Sequence, residues 1–431
     1  MAVRAMEAPA TNGASETRHA ARAAGLLAAT GFVTGVSNFA FNVLVARSGG
    51  VDSFGGTAAL LSLVTIAGFI ASGVQYAMAR RAATWDGAPR HLIAASVRLM
   101  WPWAVCVLAA CASVRQLAGY LGVSTTPTLL VIALFVAVLA AALPGGVLIG
   151  RRRFGLIAGL SLVGVAVRLA GGALLTRSMD ATTGALLASF LPSALSVVVF
   201  LVFALRIAAM QRTVESRSAG EMSQGFTSES FTGALSSAAL WALWVLPLVF
   251  ARHLLGDTVN GRFAAAQVLA SGVLFVTAPV ATAFYPTVAR HRQWRTVLVG
   301  AAATLGLAGT ASIGMAVLGP ALMAHVYGAG FAVSGRLLFE LGLSAATVSL
   351  ATYAVWTSRA MRHRTGPVVA AVAVAATVEL LAGVALTVNV EVLAALPCIS
   401  LVIGGAAAVL AGALRRPVRR PVVVLLGADE A

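Results

Sequence analysis

Lysine is absent from this chain of 431 residues, and charged residues of both signs together make up only 10% of it. All 30 basic residues are therefore arginines, set against 14 acidic residues. Hydrophobic residues account for 59% of the chain, and its mean hydropathy is +0.92. A composition so poor in charge lies outside the soluble globular range and is typical of a protein that crosses a membrane several times.

Groups that usually carry catalysis or hold metals are also scarce. Cys106, Cys111 and Cys398 lie in apolar stretches without Cys-x-x-Cys spacing, so we expect small buried hydrophobic side chains. The sequence contains no Walker-type Gly-Lys-Ser or Gly-Lys-Thr, which excludes ATP hydrolysis by this chain. His253 and Asp257 share a loop but lack a third partner. We therefore predict no enzymatic activity, no cofactor and no metal.

The formal net charge of +16 at pH 7 raises the question of a nucleic-acid partner. The arginines, however, occur in short segments that recur at regular intervals between apolar stretches. That arrangement favours orientation in a membrane and contact with anionic lipids of the inner leaflet. We therefore expect membrane lipids, and no nucleic acid, among the partners, and the sequence implies no oligomer.

Twelve apolar stretches alternate with these polar segments. About 20 apolar residues cross the hydrocarbon core of roughly 30 Å as a helix. The stretches lie at residues 24–46, 57–79, 97–114, 128–150, 156–176, 184–205, 232–251, 263–285, 297–318, 335–358, 367–389 and 392–414. We predict an all-α polytopic membrane protein with twelve transmembrane helices.

The arginines are distributed unequally between the two sides of these stretches. With a cytoplasmic N-terminus, 23 arginines fall in cytoplasmic segments, six on the opposite face and one, Arg168, within a span. Because cytoplasmic connections carry an excess of basic residues, both termini are predicted to be cytoplasmic. The exclusive use of arginine fits a GC-rich genome and so suits a high-GC bacterium.

The longest polar segment separates the sixth stretch from the seventh and indicates two halves. We predict a polar N-terminal tail (1–23), an N-terminal half of six helices (24–206), a cytoplasmic linker (207–231), a C-terminal half of six helices (232–414) and a cytoplasmic tail (415–431).

Short patterns recur in the same order in the two halves. Segment 46–56 reads Ala-Arg-(x)4-Asp-Ser-(x)2-Gly, and segment 251–261 repeats it 205 positions later with Thr in place of Ser. The basic turn at 151–155 is echoed at 362–366. Because six is even, the copies insert the same way up and are related by a pseudo-two-fold axis along the membrane normal. Transporters with such repeats bind substrate in a central cavity between the halves, which rock to alternate access. A repeat kept only for packing is the alternative.

Three segments, at 47–83, 143–163 and 326–338, resemble bacterial polysaccharide and O-antigen flippases. In order, they match a small-residue turn with a second helix ending in Ala-Arg, a helix hairpin in which glycine precedes a basic turn, and the loop before the tenth helix. Such flippases belong to the multidrug, oligosaccharidyl-lipid and polysaccharide exporter (MOP) superfamily, whose members have two six-helix lobes around a central cavity. The likeness covers nearly all of 24–414.

The resemblance implies a transporter in the plasma membrane of a bacterium that flips a lipid-linked saccharide from the inner to the outer leaflet. The carrier would be polyprenyl pyrophosphate, the purpose cell-surface polysaccharide synthesis, and the mechanism rocker-type alternating access. One departure concerns the seventh helix, where related sequences often carry an acidic residue and this chain has Trp-Val-Leu-Pro-Leu at 244–248. The resemblance therefore does not extend to cation coupling through that carboxylate.

Arg168 and Glu379 are the charges placed deepest in the predicted spans. A guanidinium near the centre of a span costs about 2.5 to 3.5 kcal/mol on insertion scales, so we expect a compensating role. Arg168 could bind a pyrophosphate or a sugar carboxylate through paired donors, while snorkelling or a structural ion pair is the alternative. An offset of 211 carries Arg168 onto Glu379, which suggests that the two pair across the cavity in one access state and separate when an anionic head group competes. A protonatable Glu379 coupled to the proton gradient is the other interpretation.

Polar side chains on other spans are weaker candidates. Asn42, Gln75 and Gln267, together with Asn38, could bond sugar hydroxyls from the cavity walls. Hydrogen bonding between helices is the alternative for each of them.

Two other functional classes compete with an anionic lipid-linked saccharide flippase. A cation-coupled multidrug antiporter of the same superfamily would favour acidic cavity walls, whereas only Glu379 lies deep and Arg168 opposes it. A membrane glycan polymerase or glycosyltransferase would need positioned carboxylates, histidines or a metal, often on a large outer loop, and the predicted outer loops are short.

Overall fold

The computed structural model of the protein describes residues 12–84, 101–210, 226–291, 293–360, 366–385 and 389–414. Within these ranges the chain forms α-helices and one 3₁₀ turn, and no strand. The helices are α1 (Asn12–Thr84), α2 (Trp101–Ala112), α3 (Val114–Leu121), α4 (Thr125–Gly150), α5 (Phe154–Ser178), α6 (Ala181–Met210), α7 (Phe226–Leu254), α8 (Asp257–His291), α9 (Trp294–Val326), α10 (Gly335–Ala360), α11 (Gly366–Ala385) and α12 (Val390–Leu414), with the 3₁₀ turn at Ala329–Phe331. The all-α prediction is confirmed.

Helix length and composition identify the segments able to cross a bilayer. Among the described residues, eight helices are long and apolar enough, or nine if α2 and α3 form one bent span. α1 counts once, although its apolar part, Ala29–Ala79, is 51 residues long and covers two predicted spans. Two shorter apolar segments, Ala370–Ala382 and Val390–Ala406, belong to α11 and α12. The protein is a multi-pass helical membrane protein, and the count of twelve spans stays a prediction.

α1 is broken at Gly50, whose backbone (φ 72°, ψ 173°) lies outside the helical range. Glycine adopts a positive φ readily, whereas a side chain at this point would be strained. The break separates the predicted first span (24–46) from the second (57–79). We call residues 12–49 the first arm of α1 and residues 51–84 the second arm.

The predicted third span at 97–114 corresponds to a bent pair of helices. Trp103–Ala112 and Val114–Leu121 are bent by 62° relative to each other, and residues 97–100 lie outside the described ranges. α3 then ends at Gly122, which is left-handed with φ 59°. Hydropathy reports only the mean apolarity of this segment, so it carries no signal for the bend.

The prediction of buried cysteines is wrong for two of the three. Cys106 and Cys111 are exposed on α2, and Cys398 in α12 is partly buried. Lipid tails are as apolar as a protein interior, so an apolar helix can present small side chains outwards at no cost. An apolar sequence alone therefore does not distinguish a lipid-facing side chain from a packed one.

The two arms of α1 connect the parts of the chain on either side of the linker. α1 packs against α4, α5 and α6, and also against α7 and α8. Farther along the chain, α8 and α9 both pack on α10, and α11 pairs with α12. One buried hydrophobic cluster includes Phe41 in α1, Leu186 in α6, Phe263 in α8 and Leu396 in α12. Apolar packing therefore joins the two halves.

The predicted segment boundaries lie partly beyond the described ranges. α1 begins at Asn12, inside the predicted N-terminal tail, whose residues 1–11 are not among those described. Residues 211–225 of the predicted linker, between α6 and α7, lie outside the described ranges. The predicted tail, 415–431, lies outside them as well. The five-segment division stays a prediction.

α4 and the second arm of α1 approach closely at a Pro-Gly-Gly sequence. Pro144 removes one backbone donor inside α4, and Gly145 and Gly146 follow it. A Cβ atom on Gly146 would lie 2.6 Å from the backbone oxygen of Gln75, and one on Gly145 would lie 2.7 Å from the Gln75 side-chain nitrogen. Glycine at 146 therefore sets the distance between the two helices and the position of Gln75.

We predict that Gly146→Ala lowers the free energy of unfolding by about 1 to 3 kcal/mol, because the added methyl group overpacks the contact with α1. Gly159→Ala in α5 is the matched control, since a Cβ atom there meets nothing within 4 Å. Alanine's higher helix propensity should leave that control unchanged or stabilise it by up to about 1 kcal/mol. Reversible unfolding in mixed detergent micelles measures both variants, and equal changes would contradict the close approach.

Candidate functional site

Arg168 lies near the middle of α5 and is held by the first arm of α1 and by α6. Its Nε donates to Oγ of Ser189 at 3.1 Å, and its Nη1 donates to Oδ1 of Asn38 at 2.9 Å. Its Cζ atom lies 4.1 Å from the ring centroid of buried Phe41, which adds a cation–π contact. All three partners are neutral. The guanidinium is therefore oriented without being neutralised.

Phe41 reaches the guanidinium because α5 carries a glycine one turn beyond Arg168. A Cβ atom on Gly172 would lie only 2.7 Å from Cε2 of Phe41. The ring thus fills space that any larger residue at 172 would occupy. Gly172 positions Phe41, and Phe41 in turn supports Arg168.

Arg168 lines a cavity of about 310 Å³ between the helices of the N-terminal half. The other polar groups in its walls are hydroxyls and one amide, and none of its lining residues is Asp or Glu. They are Thr34, Asn38, Leu61, Val64, Thr65, Leu134, Leu160, Ser161, Gly164, Val165, Arg168, Ser189, Pro192, Ser193 and Ser196. The cavity carries one positive charge and no carboxylate.

Gln75 lines a second cavity of about 230 Å³, formed by the second arm of α1 with α4 and α6. Ser193 and Ser196 belong to the walls of both cavities. The two spaces therefore adjoin along one face of α6. Two of the predicted binding residues, Arg168 and Gln75, therefore line adjoining polar cavities.

Asn42 and Gln267 are buried outside these cavity walls. The Asn42 side chain donates to the backbone oxygen of Asn38 at 2.8 Å. The Gln267 amide nitrogen donates to the backbone oxygen of Trp244. The Gln267 contact joins α8 to α7 and fits the structural alternative named above, whereas the Asn42 contact lies within α1. Substrate binding by these two residues stays a prediction.

Glu379 is completely buried in α11. Neither of its carboxylate oxygens has a hydrogen-bond partner among the described residues, and the Ser400 hydroxyl in α12 is buried without a partner there as well. Gly404 packs against Ala375, so the antiparallel register of α11 and α12 places Ser400 opposite Glu379. The C-terminal half therefore contains a buried acid beside a hydroxyl group.

Arg168 and Glu379 make no contact with each other in this structure. The guanidinium is bonded to Asn38 and Ser189, and the carboxylate has no hydrogen-bond partner in the described part of the chain. The hypothesis that they pair in another access state stays a prediction.

At one end of the bundle, two arginines connect the halves in the same way. Arg47, at the end of the first arm of α1, donates to the backbone oxygens of Val326 at 2.7 Å and His325 at 3.0 Å. Arg252, at the end of α7, donates to those of Leu121 at 2.7 Å and Gly122 at 3.1 Å. We call these contacts the arginine clamps. Each one caps the carbonyl end of a helix in the opposite half.

The clamps flank a close crossing of the second arm of α1 with α8, which we call the seam. A Cβ atom on Gly261 would overlap the backbone oxygen of Val51 at 1.8 Å, and one on Gly55 would lie 2.0 Å from the Asn260 side-chain nitrogen. Asn260 is completely buried, and neither polar atom of its side chain has a partner in the described residues. Thr258 donates to the Asp52 carboxylate across the same crossing at 2.5 Å. The two halves are therefore held together at this end.

The sequence analysis did not predict the clamps or the seam. The signal was present, because Arg47 and Arg252 are the equivalent arginines of the repeat, 205 positions apart. Gly55 and Asn260 are separated by the same interval. The repeat identified equivalent positions without showing that they meet.

These features define a multi-pass helical membrane protein with a charged polar cavity inside the bundle, and solved structures identify the fold. It is similar to the lipid II flippase MurJ in an inward closed conformation, with a TM-score of 0.69 and 12% identity over 89% of this chain and 86% of that one. It is also similar to a multidrug resistance MATE family transporter of the MOP superfamily in an inward-facing conformation, with a TM-score of 0.58 and 11% identity over 90% and 98%. A third similar structure is a MOP superfamily transporter from Pyrococcus furiosus Vc1, with a TM-score of 0.55 and 10% identity over 91% of this chain and 95% of that one.

No family model and no curated protein matches the sequence. At identities of 10 to 12%, the likeness to solved structures shows the fold alone. The chain therefore has the fold seen in these transporters, as the resemblance in the sequence implied, and membership of the superfamily stays a prediction. The polysaccharide-flippase type stays a prediction.

We predict that the double variant Arg47→Gln/Arg252→Gln opens the seam more often, because each clamp contributes hydrogen bonds from a charged donor. The reporter is Asn260→Cys, at a buried position, in a background without native cysteines. In the double variant this cysteine should react with a thiol reagent about tenfold faster or more than it does when both clamps are intact. Arg262→Gln is the matched control, since Arg262 donates to the Gly330 backbone oxygen within the C-terminal half. Equal labelling rates in the double variant and the control would contradict a clamp role.

Proposed function

We propose that this protein is a flippase that moves a lipid-linked saccharide, carried on polyprenyl pyrophosphate, across the plasma membrane of a bacterium for cell-surface polysaccharide synthesis. The MOP fold supports a transporter, and the sequence resemblance supports this cargo. Twelve spans in two six-helix lobes, related by a pseudo-two-fold axis along the membrane normal, are part of the proposal. The equivalent clamps and the crossing at Gly55 and Asn260 support that symmetry.

One observation carries the choice of an anionic cargo. Arg168 presents a positive charge to a polar cavity whose walls contain no carboxylate. Placing that charge inside the bilayer costs about 2.5 to 3.5 kcal/mol, and its neutral partners orient it without cancelling it. A pyrophosphate or a sugar carboxylate would supply the missing charge through strong, paired hydrogen bonds. Gln75 adds an amide to the adjoining cavity.

Orientation and access follow from the distribution of arginines. If both termini are cytoplasmic, the first arm of α1 ends at the outer surface, and the clamps and seam close the outer side. Transport by rocker-type alternating access then requires the clamps to release and the seam to separate. In this scheme cargo enters from the inner leaflet and leaves through the opened outer side.

Glu379 is proposed as a coupling group. A carboxylate with no partner in an apolar interior is costly to keep ionised, so it is expected to gain a proton or a cation during the cycle. Its pairing with Arg168 in another access state would let release of the cargo and loss of the proton occur together.

We predict that Arg168→Gln reduces translocation of polyprenyl-pyrophosphate-linked saccharide in proteoliposomes about tenfold or more, because charge-assisted hydrogen bonds to the cargo are lost. Arg168→Lys should restore part of the activity, since lysine keeps the charge and loses the planar fork. Arg177→Gln, at the exposed end of the same helix, is the control. Full activity of Arg168→Gln would contradict a cargo-binding role.

The same proteoliposomes separate the rival function of multidrug efflux, which the MATE-type fold keeps open. A cationic dye would be repelled by Arg168, so Arg168→Gln should increase its movement if the protein is a drug antiporter. Dye transport by the unaltered protein without saccharide translocation would favour that rival.

We predict that Glu379→Gln abolishes the stimulation of transport by an imposed pH gradient and leaves downhill transport measurable. The glutamine amide keeps the size of the side chain, but unlike a carboxylate it does not take up a proton on either side of the gradient. Glu391→Gln is the control, because Glu391 is exposed and paired with Arg336 at 3.0 Å. A gradient response that survives Glu379→Gln would exclude this residue as the coupling group.

A further inference from the structure

The hydroxyl groups in the walls of the two cavities share one hydrogen-bonding pattern. Each donates its hydrogen to a backbone oxygen of its own helix, at 2.7 to 3.1 Å. The seven are Thr34, Thr65, Ser72, Ser161, Ser189, Ser193 and Ser196. A hydroxyl whose hydrogen is used in this way keeps its oxygen lone pairs as acceptors. The walls therefore favour a ligand that brings its own donors.

The acceptors form a row on one face of α6. Ser189, Ser193 and Ser196 follow the spacing that places side chains on the same side of a helix. At 1.5 Å per residue the row is about 10 Å long. It begins at Arg168, whose Nε already donates to Ser189, and continues to the cavity lined by Gln75. One positive charge thus lies at the end of an extended line of acceptors.

The guanidinium has one edge left for a ligand. Its Nε and Nη1 are bonded to Ser189 and Asn38, whereas Nη2 donates to no group in the described residues. An inorganic anion would satisfy that nitrogen and leave the row of acceptors unused. A neutral sugar would use the row and leave the charge unmet. A cation would be repelled by Arg168.

We propose that the two joined cavities bind a hydroxyl-rich sugar unit bearing one oxyanion, with the oxyanion at Arg168 and the hydroxyl groups donating to Ser193 and Ser196. This rests on the proposed function and deepens it. It assigns the sugar portion of the cargo to the N-terminal half and not to the gap between the halves. The oxyanion is either a carboxylate on the sugar or the phosphate that links it.

The test measures binding of four soluble probes to the purified full-length protein: glucuronate, a hexose phosphate, glucose and inorganic phosphate. At least one of the two sugar anions should bind about tenfold or more tightly than both glucose and inorganic phosphate, because only a sugar anion satisfies charge and acceptors together. Preference for glucuronate identifies a sugar carboxylate as the anion. Preference for the hexose phosphate identifies the phosphate that links the sugar to its carrier as the anion. The proposal is overturned if glucose or inorganic phosphate binds as tightly as the preferred sugar anion, or if no probe binds.

Two double variants isolate the hydroxyl row. Ser193→Ala/Ser196→Ala should weaken binding of the preferred sugar anion about tenfold and leave inorganic phosphate binding unchanged, since only sugar hydroxyls use these oxygens. Thr310→Ala/Thr377→Ala is the matched control, because both threonines are exposed and donate to their own helix at 2.9 Å in the same way. An unchanged affinity in the serine variant overturns the assignment.

Failure of this inference differs from failure of the proposed function. If the probes bind in the predicted order but proteoliposomes do not translocate lipid-linked saccharide, the sugar-anion site stands and the flippase proposal falls. If translocation occurs and depends on Arg168, yet the serine variant binds every probe normally, the flippase stands and the sugar lies elsewhere.

Discussion

The proposed transport depends on a guanidinium placed inside the membrane without an acid among its contacts in the described residues. Arg168 is oriented by Asn38, Ser189 and Phe41, and none of these cancels its charge. A structural ion pair would have explained the residue without any ligand. Its absence among the contacts in the described residues leaves an unmet charge beside a polar cavity. In the proposed function, that arrangement is a site where an anionic cargo binds and is released.

The second physical feature is the way in which the halves are closed against each other. Across the interface the arginine clamps use only backbone oxygens as acceptors, and the carboxylate paired with Arg252, Asp257, lies in the same half as Arg252. Each clamp can therefore release and re-form without separating an ion pair. Between them, the seam buries the Asn260 amide without a partner, at a cost of about 1 to 3 kcal/mol. An interface with strong clamp contacts at its edges and an amide without a partner at its centre suits a transporter whose halves separate during a cycle. In the proposed function, the cavity at Arg168 binds the cargo and the seam opens to release it.

The sequence predicted those parts of the fold that follow from composition and local pattern. Apolar runs gave the helices, and the rarity of charge within them singled out Arg168 and Glu379. The bend between α2 and α3 was missed because hydropathy has no directional content, and the exposure of Cys106 and Cys111 because lipid and protein interiors are equally apolar. Arg168 as a cavity residue was predicted from its cost. Its partners were not, since they lie 130 and 21 positions away in the chain.

The clamps and the buried polar side chains also show that the sequence does not reveal which distant residues come into contact. The repeat identified Arg47 and Arg252 as equivalent, but only folding brings each to a helix end in the opposite half. Asn42 and Gln267 were singled out for their polarity, and the structure gives Asn42 a hydrogen bond within its own helix and Gln267 one to a neighbouring helix. Long-range partners decide whether a buried polar residue is structural or available to a ligand.

The central claim is tested most directly by an electron cryomicroscopy structure of the protein with its lipid-linked saccharide bound. We predict the anionic group within hydrogen-bonding distance of the Arg168 guanidinium, at about 2.7 to 2.9 Å, and inside the N-terminal half. A cargo whose anion lies between the halves, with Arg168 still bonded only to Asn38 and Ser189, would contradict it.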